Sequence, residues 1–122
     1  MNKPNRFQKL VADVKQRISE VSAEESRMEA ERGDAVLIDV REESEWREGH
    51  AAGARHLSKG VIEVEIEEQV PDVNQPIICY CGGGSRSALV ADNLQKMGYS
   101  NVRSLGGGMR AWKEAGLPTT AE

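Results

Sequence analysis

Apolar residues occur in two patterns along this chain: short continuous runs, and segments in which they recur every three or four positions. Continuous runs predict strands that are buried on both faces, whereas the recurring positions predict helices with one apolar side. The predicted strands cover about residues 18–21, 35–40, 55–57, 77–80 and 101–105. Because they alternate with helices, we expect an α/β fold with a parallel sheet, helices on both of its faces, and ligand chemistry at the carboxyl ends of the strands.

The first helix is predicted over about residues 5–16, ahead of the first strand. Its apolar positions follow the spacing i, i+3, i+4 and i+7 and are Phe7, Leu10, Val11 and Val14. This stripe either packs on the core of the domain or forms a dimer or partner surface, because a terminal helix outside the sheet is free to serve that purpose.

Residues with a preference for helix ends place the next helices. Ser22 begins a capping box, and Gly33 ends the helix that follows it. Ser44 is expected to cap a short helix that runs through Arg47.

Residues 62–66 alternate apolar and charged side chains, which is typical of a strand. We predict a helix there, because a helical spacing is also present at Ile62, Ile66 and Val70. A further helix from about Ser87 to Met97 has its apolar stripe at Val90, Leu94 and Met97, and Trp112 lies in a last helix.

The composition is ordinary for one soluble globular domain, with 122 residues, 39% of them apolar and 30% charged. A net charge of −4 gives no general attraction to nucleic acid. The chain does not begin with an apolar stretch of signal-peptide length, and none of its apolar runs is long enough to span a bilayer. We therefore expect a cytoplasmic protein with neither nucleic-acid nor membrane partners.

The chain has two cysteines, Cys79 and Cys81, too few for a disulfide framework. A zinc site would also need imidazole ligands from His50 and His56, whose distance from the cysteines in sequence matches none of the usual zinc patterns. We expect no metal, and a structural role for both histidines.

Cys81 follows an apolar run and precedes Gly82, Gly83, Gly84, Ser85, Arg86 and Ser87, after which the helical pattern begins. A glycine-rich turn lets backbone N–H groups converge on one point, and the helix adds the positive end of its dipole. With Arg86 as a nearby cation, Cys81 is predicted to be a reactive thiolate. The ordinary alternative is a small buried cysteine beside a flexible loop.

Taken together, the motifs of this chain resemble those of the single-domain rhodanese family over about residues 18–118. The motifs, in chain order, are Leu37-Ile38-Asp39-Val40-Arg41, Glu45-Trp46, Gly49-His50, the segment Ile78-Cys79-Tyr80-Cys81-Gly82-Gly83-Gly84-Ser85-Arg86-Ser87, Leu94, Gly98-Tyr99, Asn101-Val102, Leu105-Gly106-Gly107-Gly108, Trp112 and Gly116-Leu117-Pro118. The resemblance implies a rhodanese-like domain over residues 18–122, with a parallel sheet of about five strands, and leaves residues 1–17 as an N-terminal helical extension.

The same resemblance implies a sulfurtransferase that needs no cofactor. Cys81 would attack a small sulfane-sulfur donor such as thiosulfate, hold the sulfur as a persulfide, and pass it to a thiol or cyanide acceptor or to an acceptor protein. The loop from Gly82 to Ser87 would bind the substrate, and Asp39 and Arg41 would support the site structurally. Cys79 either lies inert in its strand or resolves the persulfide.

Two other functions stay open at this stage. The fold could serve as a sulfur carrier or protein-binding module with little turnover of small molecules. A phosphatase or arsenate reductase is the other alternative, although the spacing Cys-x4-Arg from Cys81 to Arg86 is shorter than the Cys-x5-Arg of the related phosphatases.

Several details of the motifs bear on the donor and the pocket. Gly82 and Gly83 stand where efficient thiosulfate enzymes often have basic or hydrogen-bonding side chains, and Ala52 replaces a proline common in the family. Arg110 and Lys113 either attract anions to the pocket or are solvated helix charges. The two tryptophans, Trp46 and Trp112, are expected to anchor the core. The alternative is that they form a wall of the acceptor pocket.

Overall fold

The computed structural model describes residues 3–122, which form six helices and seven strands. The helices are α1 (Arg6–Lys15), α2 (Ala23–Glu31), α3 (Glu43–Glu48), α4 (Ile62–Gln69), α5 (Ser85–Lys96) and α6 (Gly108–Glu114). The strands are β1 (Ser19–Val21), β2 (Val36–Asp39), β3 (His50–Ala51), β4 (Arg55–His56), β5 (Ile77–Tyr80), β6 (Val102–Leu105) and β7 (Thr119–Thr120).

Five strands form one sheet in the order β1-β6-β5-β2-β4, and every neighbouring pair in it is parallel. The predicted parallel sheet of about five strands is therefore confirmed. The central strand is β5, whose Cys79 lies opposite Ile38 of β2 and Ser104 of β6. Strands β3 and β7 form a separate antiparallel pair that the sequence did not reveal, because two-residue strands are too short to show a period.

Successive side chains of β5 point to opposite faces of the sheet, and each face has its own core. Ile77 and Cys79 pack with residues of α4 and α5, while Ile78 and Tyr80 pack with residues of α2 and α6. Helices thus cover both faces, as predicted. Trp112 of α6 is completely buried, which confirms it as a core anchor.

Helix α1 packs against α5, and its apolar stripe divides into two parts. Val11 and Val14 are buried, whereas Phe7 and Leu10 keep 47% and 51% of their surface exposed. Two ion-paired hydrogen bonds of 3.1 and 3.2 Å join Arg17, just beyond α1, to Asp92 of α5. Within residues 3–122, none of the helices is both long and apolar enough to cross a membrane.

Two helix starts differ from the predictions. Helix α3 begins one residue before Ser44, with Glu42 at the N-cap, so the predicted Ser44 cap is wrong. The Glu45 side chain accepts a 3.0 Å hydrogen bond from the Glu42 N–H, which satisfies a backbone donor at the helix start. Helix α5 begins at Ser85 and not near Ser87, because Gly84 adopts a positive φ of 104° and completes the turn earlier.

Trp46 does not lie in the core. It is half-buried on α3, a helix without any buried residue, and its ring stacks on His50 and His56 with ring centroids 3.3 and 5.0 Å apart. The prediction of a core anchor at Trp46 is therefore wrong, because α3 contributes no residue to either core.

Candidate functional site

Cys81 is the first residue after β5, at the carboxyl end of the central strand. This is the edge of a parallel sheet at which ligands bind in α/β folds, because the loops from neighbouring strands meet there. The loop after Cys81 leads directly into α5, whose N-terminal end brings unpaired backbone N–H groups to the same place.

Three groups form hydrogen bonds with the sulfur of Cys81. The N–H of Gly84 donates to Sγ over 3.0 Å and the N–H of Ser87 over 3.4 Å, and the Ser87 hydroxyl lies 3.5 Å from Sγ. The positive φ of Gly84 turns its N–H toward the sulfur, which a residue with a side chain would do only at a conformational cost. The loop therefore gathers donors around a single atom.

These donors control the ionisation of the thiol. Burial by itself raises the pKa of Cys81, because a thiolate is less well solvated inside the protein. The three hydrogen bonds from Gly84 and Ser87, with a smaller contribution from the more distant Gly83 N–H, outweigh that effect, so the pKa lies below its ordinary value. Cys81 keeps only 1% of its surface exposed.

Ser104 of β6 is a further member of the site. Its hydroxyl lies 2.8 Å from the Ser87 hydroxyl, and both side chains are fully buried. A second hydroxyl at this distance fixes the orientation of the first, and therefore the direction in which Ser87 faces Sγ. Sequence reasoning did not identify Ser104; a serine within an apolar strand was the available signal.

The charge of Arg86 is shared with a carboxylate from another element. Its guanidinium donates to both carboxylate oxygens of Glu45 on α3, over 2.7 and 3.1 Å. This pairing holds the pKa of Glu45 at about 2, well below its ordinary value. Arg86 lies close enough to Cys81 for the two charges to interact, as expected of a nearby cation, and its guanidinium is at the same time paired with Glu45.

Asp39 and Arg41 form a buried network one strand away from Cys81. The Asp39 carboxylate accepts hydrogen bonds from the backbone and guanidinium of Arg41, the shortest at 2.8 Å, and a 2.6 Å bond from the Tyr80 hydroxyl. Arg41 also donates to the carbonyl of Gly49 over 2.7 Å, and the Ala51 N–H donates to the Tyr80 hydroxyl over 3.0 Å. The network thus holds β3 against the sheet and makes no contact with the sulfur.

The start of α6 is joined to the cysteine loop by backbone hydrogen bonds. Met109 N–H donates to the carbonyl of Cys81 over 2.8 Å, and Arg110 N–H donates to that of Gly82 over 3.2 Å. Gly108 has a φ of 53°, and a Cβ there would overlap the Cys81 carbonyl oxygen and lie 2.8 Å from the Gly82 carbonyl carbon. Only glycine allows this close approach of the two backbones.

The remaining candidate residues, Cys79, His50 and His56, are not among the groups that form hydrogen bonds with the Cys81 sulfur. Cys79 is completely buried, and burial, reinforced by the nearby Cys81, raises its pKa to about 12. His50 is bonded to the carbonyl of Trp46 over 2.9 Å and His56 to that of Arg41 over 2.8 Å, which leaves neither beside the sulfur. Among residues 3–122, no three His, Cys, Asp or Glu side chains are close enough together to hold a metal ion.

Known proteins share the sequence pattern and the fold of this chain. The model of the rhodanese-like domain family matches residues 22–115. Thiosulfate sulfurtransferase GlpE of Coxiella burnetii is 39% identical over 80 residues, which cover 66% of this chain and 73% of that protein.

Two solved structures share nearly the whole fold. The 30 kDa polysulfide-sulfur transferase homodimer of Wolinella succinogenes has a TM-score of 0.80 at 28% identity, covering 93% of this chain and 86% of that one. A Rhodopseudomonas palustris protein of unknown function, described as a possible tyrosine phosphatase, has a TM-score of 0.82 at 27% identity, covering 98% of this chain and 99% of that one.

Proposed function

The chain belongs to the rhodanese-like family of sulfurtransferases, and from this premise we propose that it transfers sulfane sulfur through a persulfide on Cys81. The observation that carries the proposal is the set of donors around Sγ, two backbone N–H groups and one hydroxyl, at the carboxyl end of the central strand. Such donors favour the ionised thiol that nucleophilic catalysis needs.

With thiosulfate as the donor, the Cys81 thiolate attacks the outer sulfur. A new S–S bond forms to Sγ while the S–S bond of thiosulfate breaks, and sulfite leaves with that bonding pair. The single charge of the thiolate is then carried by the persulfide, and the two charges of thiosulfate leave on sulfite. In the second step a cyanide ion or a thiolate attacks the outer persulfide sulfur, and the Cys81 thiolate is released.

The hydrogen-bond donors around the Cys81 sulfur suit both steps. They stabilise negative charge on Sγ before the attack and again when the acceptor removes the sulfur, because the same atom carries the charge at both ends of the cycle. The two half-reactions require no proton transfer when the thiolate is already formed. A thiol or a protein cysteine is the proposed acceptor in the cell, and cyanide is the convenient one in an assay.

Intact-mass measurement of the purified protein after thiosulfate treatment tests the proposal. We expect the mass of one extra sulfur atom, which cyanide removes as thiocyanate. The adduct should be absent in Cys81→Ser and present in Cys79→Ser, a matched control for the loss of one thiol. Absence of the adduct with thiosulfate, a thiosulfonate and polysulfide would contradict the proposal.

A phosphatase is the second candidate, favoured by the similarity to the possible tyrosine phosphatase. Arg86 bears against it, because the arginine of the loop is held by Glu45 over 2.7 Å. Hydrolysis of p-nitrophenyl phosphate that depends on Cys81, at a rate exceeding that of thiocyanate formation, would favour the phosphatase over sulfur transfer.

A sulfur-carrier module is the third reading of the same site. It would form the persulfide once per chain but release thiocyanate slowly over many cycles. Comparing the stoichiometry of the adduct with steady-state turnover by the same sample separates a carrier from an enzyme.

A further inference from the structure

Arg110 brings a cation to the cysteine loop from a different element. Its backbone N–H is bonded to the carbonyl of Gly82 over 3.2 Å, so the first turn of α6 is fixed against the loop. Its guanidinium lies above Gly83, with Nη2 3.7 Å from the position that a Cβ of Gly83 would occupy. The residue as a whole is exposed, so the cation faces the solvent side of the loop.

Arg110 differs from the other arginines of this region in its lack of a carboxylate partner. Arg86 is paired with Glu45, and Arg41 with Asp39. Among the ion pairs of residues 3–122, none with a distance up to 4.0 Å includes Arg110. Arg110 therefore brings to the loop a charge that is not paired with a carboxylate.

The glycines of the loop provide room for this guanidinium. Neither Gly82 nor Gly83 has a side chain, so the loop itself offers no cation above the sulfur apart from the paired Arg86. The space over Gly83 is open to a long side chain that comes from α6. A sulfur donor that approaches Cys81 over the exposed Gly83 would meet Arg110 beside the loop.

We propose that Arg110 selects anionic sulfur donors, by binding the oxyanion end of a donor whose sulfane sulfur faces Cys81. The inference rests on the proposed function and names the class of donor as one with a sulfonate or similar oxyanion next to the transferable sulfur. A thiolate and an anionic sulfur donor repel one another, so a cation at this position favours the approach of the donor. Sulfite leaves with two negative charges, and the same cation stabilises it as it forms. A guanidinium also matches the spacing of two sulfonate oxygens.

Steady-state kinetics with thiosulfate test the proposal. In Arg110→Gln we expect kcat/KM to fall about fivefold to tenfold, mainly through KM, a loss typical of a hydrogen bond to a charged group that is partly exposed. Arg110→Lys should recover part of the loss, and the difference between wild type and Arg110→Gln should shrink as ionic strength rises. Lys113→Gln removes the same charge from an exposed position one turn further along the helix, beyond the residues bonded to the loop; it is the matched control for a solvated helix charge, and unchanged kinetics are expected.

Alkylation of Cys81 provides a readout that does not depend on sulfur transfer. Iodoacetate and iodoacetamide are nearly the same size, but only iodoacetate is an anion. We expect the rate ratio of iodoacetate to iodoacetamide to fall several-fold in Arg110→Gln and to stay unchanged in Lys113→Gln. Circular dichroism of each variant shows whether the fold is kept.

The outcomes separate the two proposals. Suppose that the wild type takes up sulfur and that the alkylation ratio is the same in wild type and Arg110→Gln. This result overturns the role of Arg110 and leaves the proposed function intact. If the wild type takes up no sulfur, the proposed function fails, and the alkylation ratio alone then decides whether Arg110 holds an anion. If neither alkylating reagent nor any sulfur donor modifies wild-type Cys81, both proposals fail, because the sulfur is then inaccessible.

Discussion

Ser87 contacts the Cys81 sulfur through both of its polar groups, the backbone N–H at 3.4 Å and the hydroxyl at 3.5 Å. The Ser104 hydroxyl lies 2.8 Å from that of Ser87, and when it donates to the Ser87 oxygen, the Ser87 proton is free to turn toward the sulfur. Side chains from two elements, α5 and β6, are therefore linked to the one sulfur atom.

Removing the Ser87 hydroxyl tests this arrangement. In Ser87→Ala we expect the pKa of Cys81 to rise, because one of the hydrogen bonds that lowers it is lost while burial, which raises it, remains. A raised pKa reduces the thiolate fraction at neutral pH. In a plot of the rate of persulfide formation against pH, the rise therefore moves to higher pH. At pH values well above both pKa values, the rates of variant and wild type should converge.

Stopped-flow or quenched measurements of persulfide formation across pH provide the check. Ser100→Ala is the control, since Ser100 precedes β6 at the opposite end of the sheet. If the rate falls equally at every pH and the rise stays at the same pH, the Ser87 hydroxyl acts in some way other than through the ionisation of Cys81.

The sequence alone identified those site residues whose partners lie nearby along the chain. Cys81, its glycine loop and the buried Asp39–Arg41 pair all follow from short segments. The partners it missed come from distant positions: Ser104 lies 17 residues after Ser87, and Glu45 lies 41 residues before Arg86. No local pattern encodes such pairings, because they exist only after the elements have packed.

Helix α6 owes its position to the absence of a side chain at Gly108. The backbone of α6 approaches the Cys81 carbonyl so closely that a Cβ would overlap it. The first turn of this helix therefore determines the shape of the cysteine loop as well as the position of Arg110.

A pair of glycine variants separates this overlap from simple backbone strain. Gly108 and Gly116 both have positive φ values, 53° and 71°, but a Cβ at Gly116 would meet no atom within 4 Å. Gly116→Ala should cost about 1–2 kcal/mol, the usual penalty of a left-handed residue with a side chain. Gly108→Ala should lower the free energy of unfolding further and reduce the rate of persulfide formation, because the loop must shift.

Urea denaturation of both variants, together with their rates of sulfur uptake, measures these effects. Equal losses of stability in the two variants, with sulfur uptake unchanged in Gly108→Ala, would contradict the proposed coupling between α6 and the loop.

Elements were predictable where the pattern is long enough to show its period. In α4 the fully buried Ile62 and Ile66 flank Val64, which is 83% exposed, so the helical spacing was the correct choice over alternation. The pair β3 and β7 was not predictable, because it joins two-residue segments far apart in sequence. The Ser44 cap failed because Glu42 and Glu45 form the helix start.

The whole molecule combines the family domain with α1, which lies ahead of the matched residues 22–115. We propose that residues 1–17 are an extension added to a rhodanese-like domain of residues 18–122. The extension is attached to α5 by buried Val11 and Val14 and by the Arg17–Asp92 ion pair.

Deleting residues 1–16, which retains Arg17, tests this division. We expect the shortened chain to fold and to take up sulfur at Cys81, with the free energy of unfolding lowered by about 3–6 kcal/mol at most for two buried valines. Urea denaturation and intact-mass measurement provide the two readouts, with Arg17→Gln as a control that removes the ion pair but keeps α1. A shortened chain that does not fold would show that α1 is integral to the domain.

The location of Cys79 has a practical consequence. Since this thiol is completely buried in the central strand and burial raises its pKa to about 12, thiol reagents at neutral pH should leave it untouched while the protein stays folded. Cys81 is the only other cysteine in the chain. Any fluorophore, spin label or crosslinker that reacts with the native protein should therefore attach at Cys81 alone, without any cysteine first being engineered away.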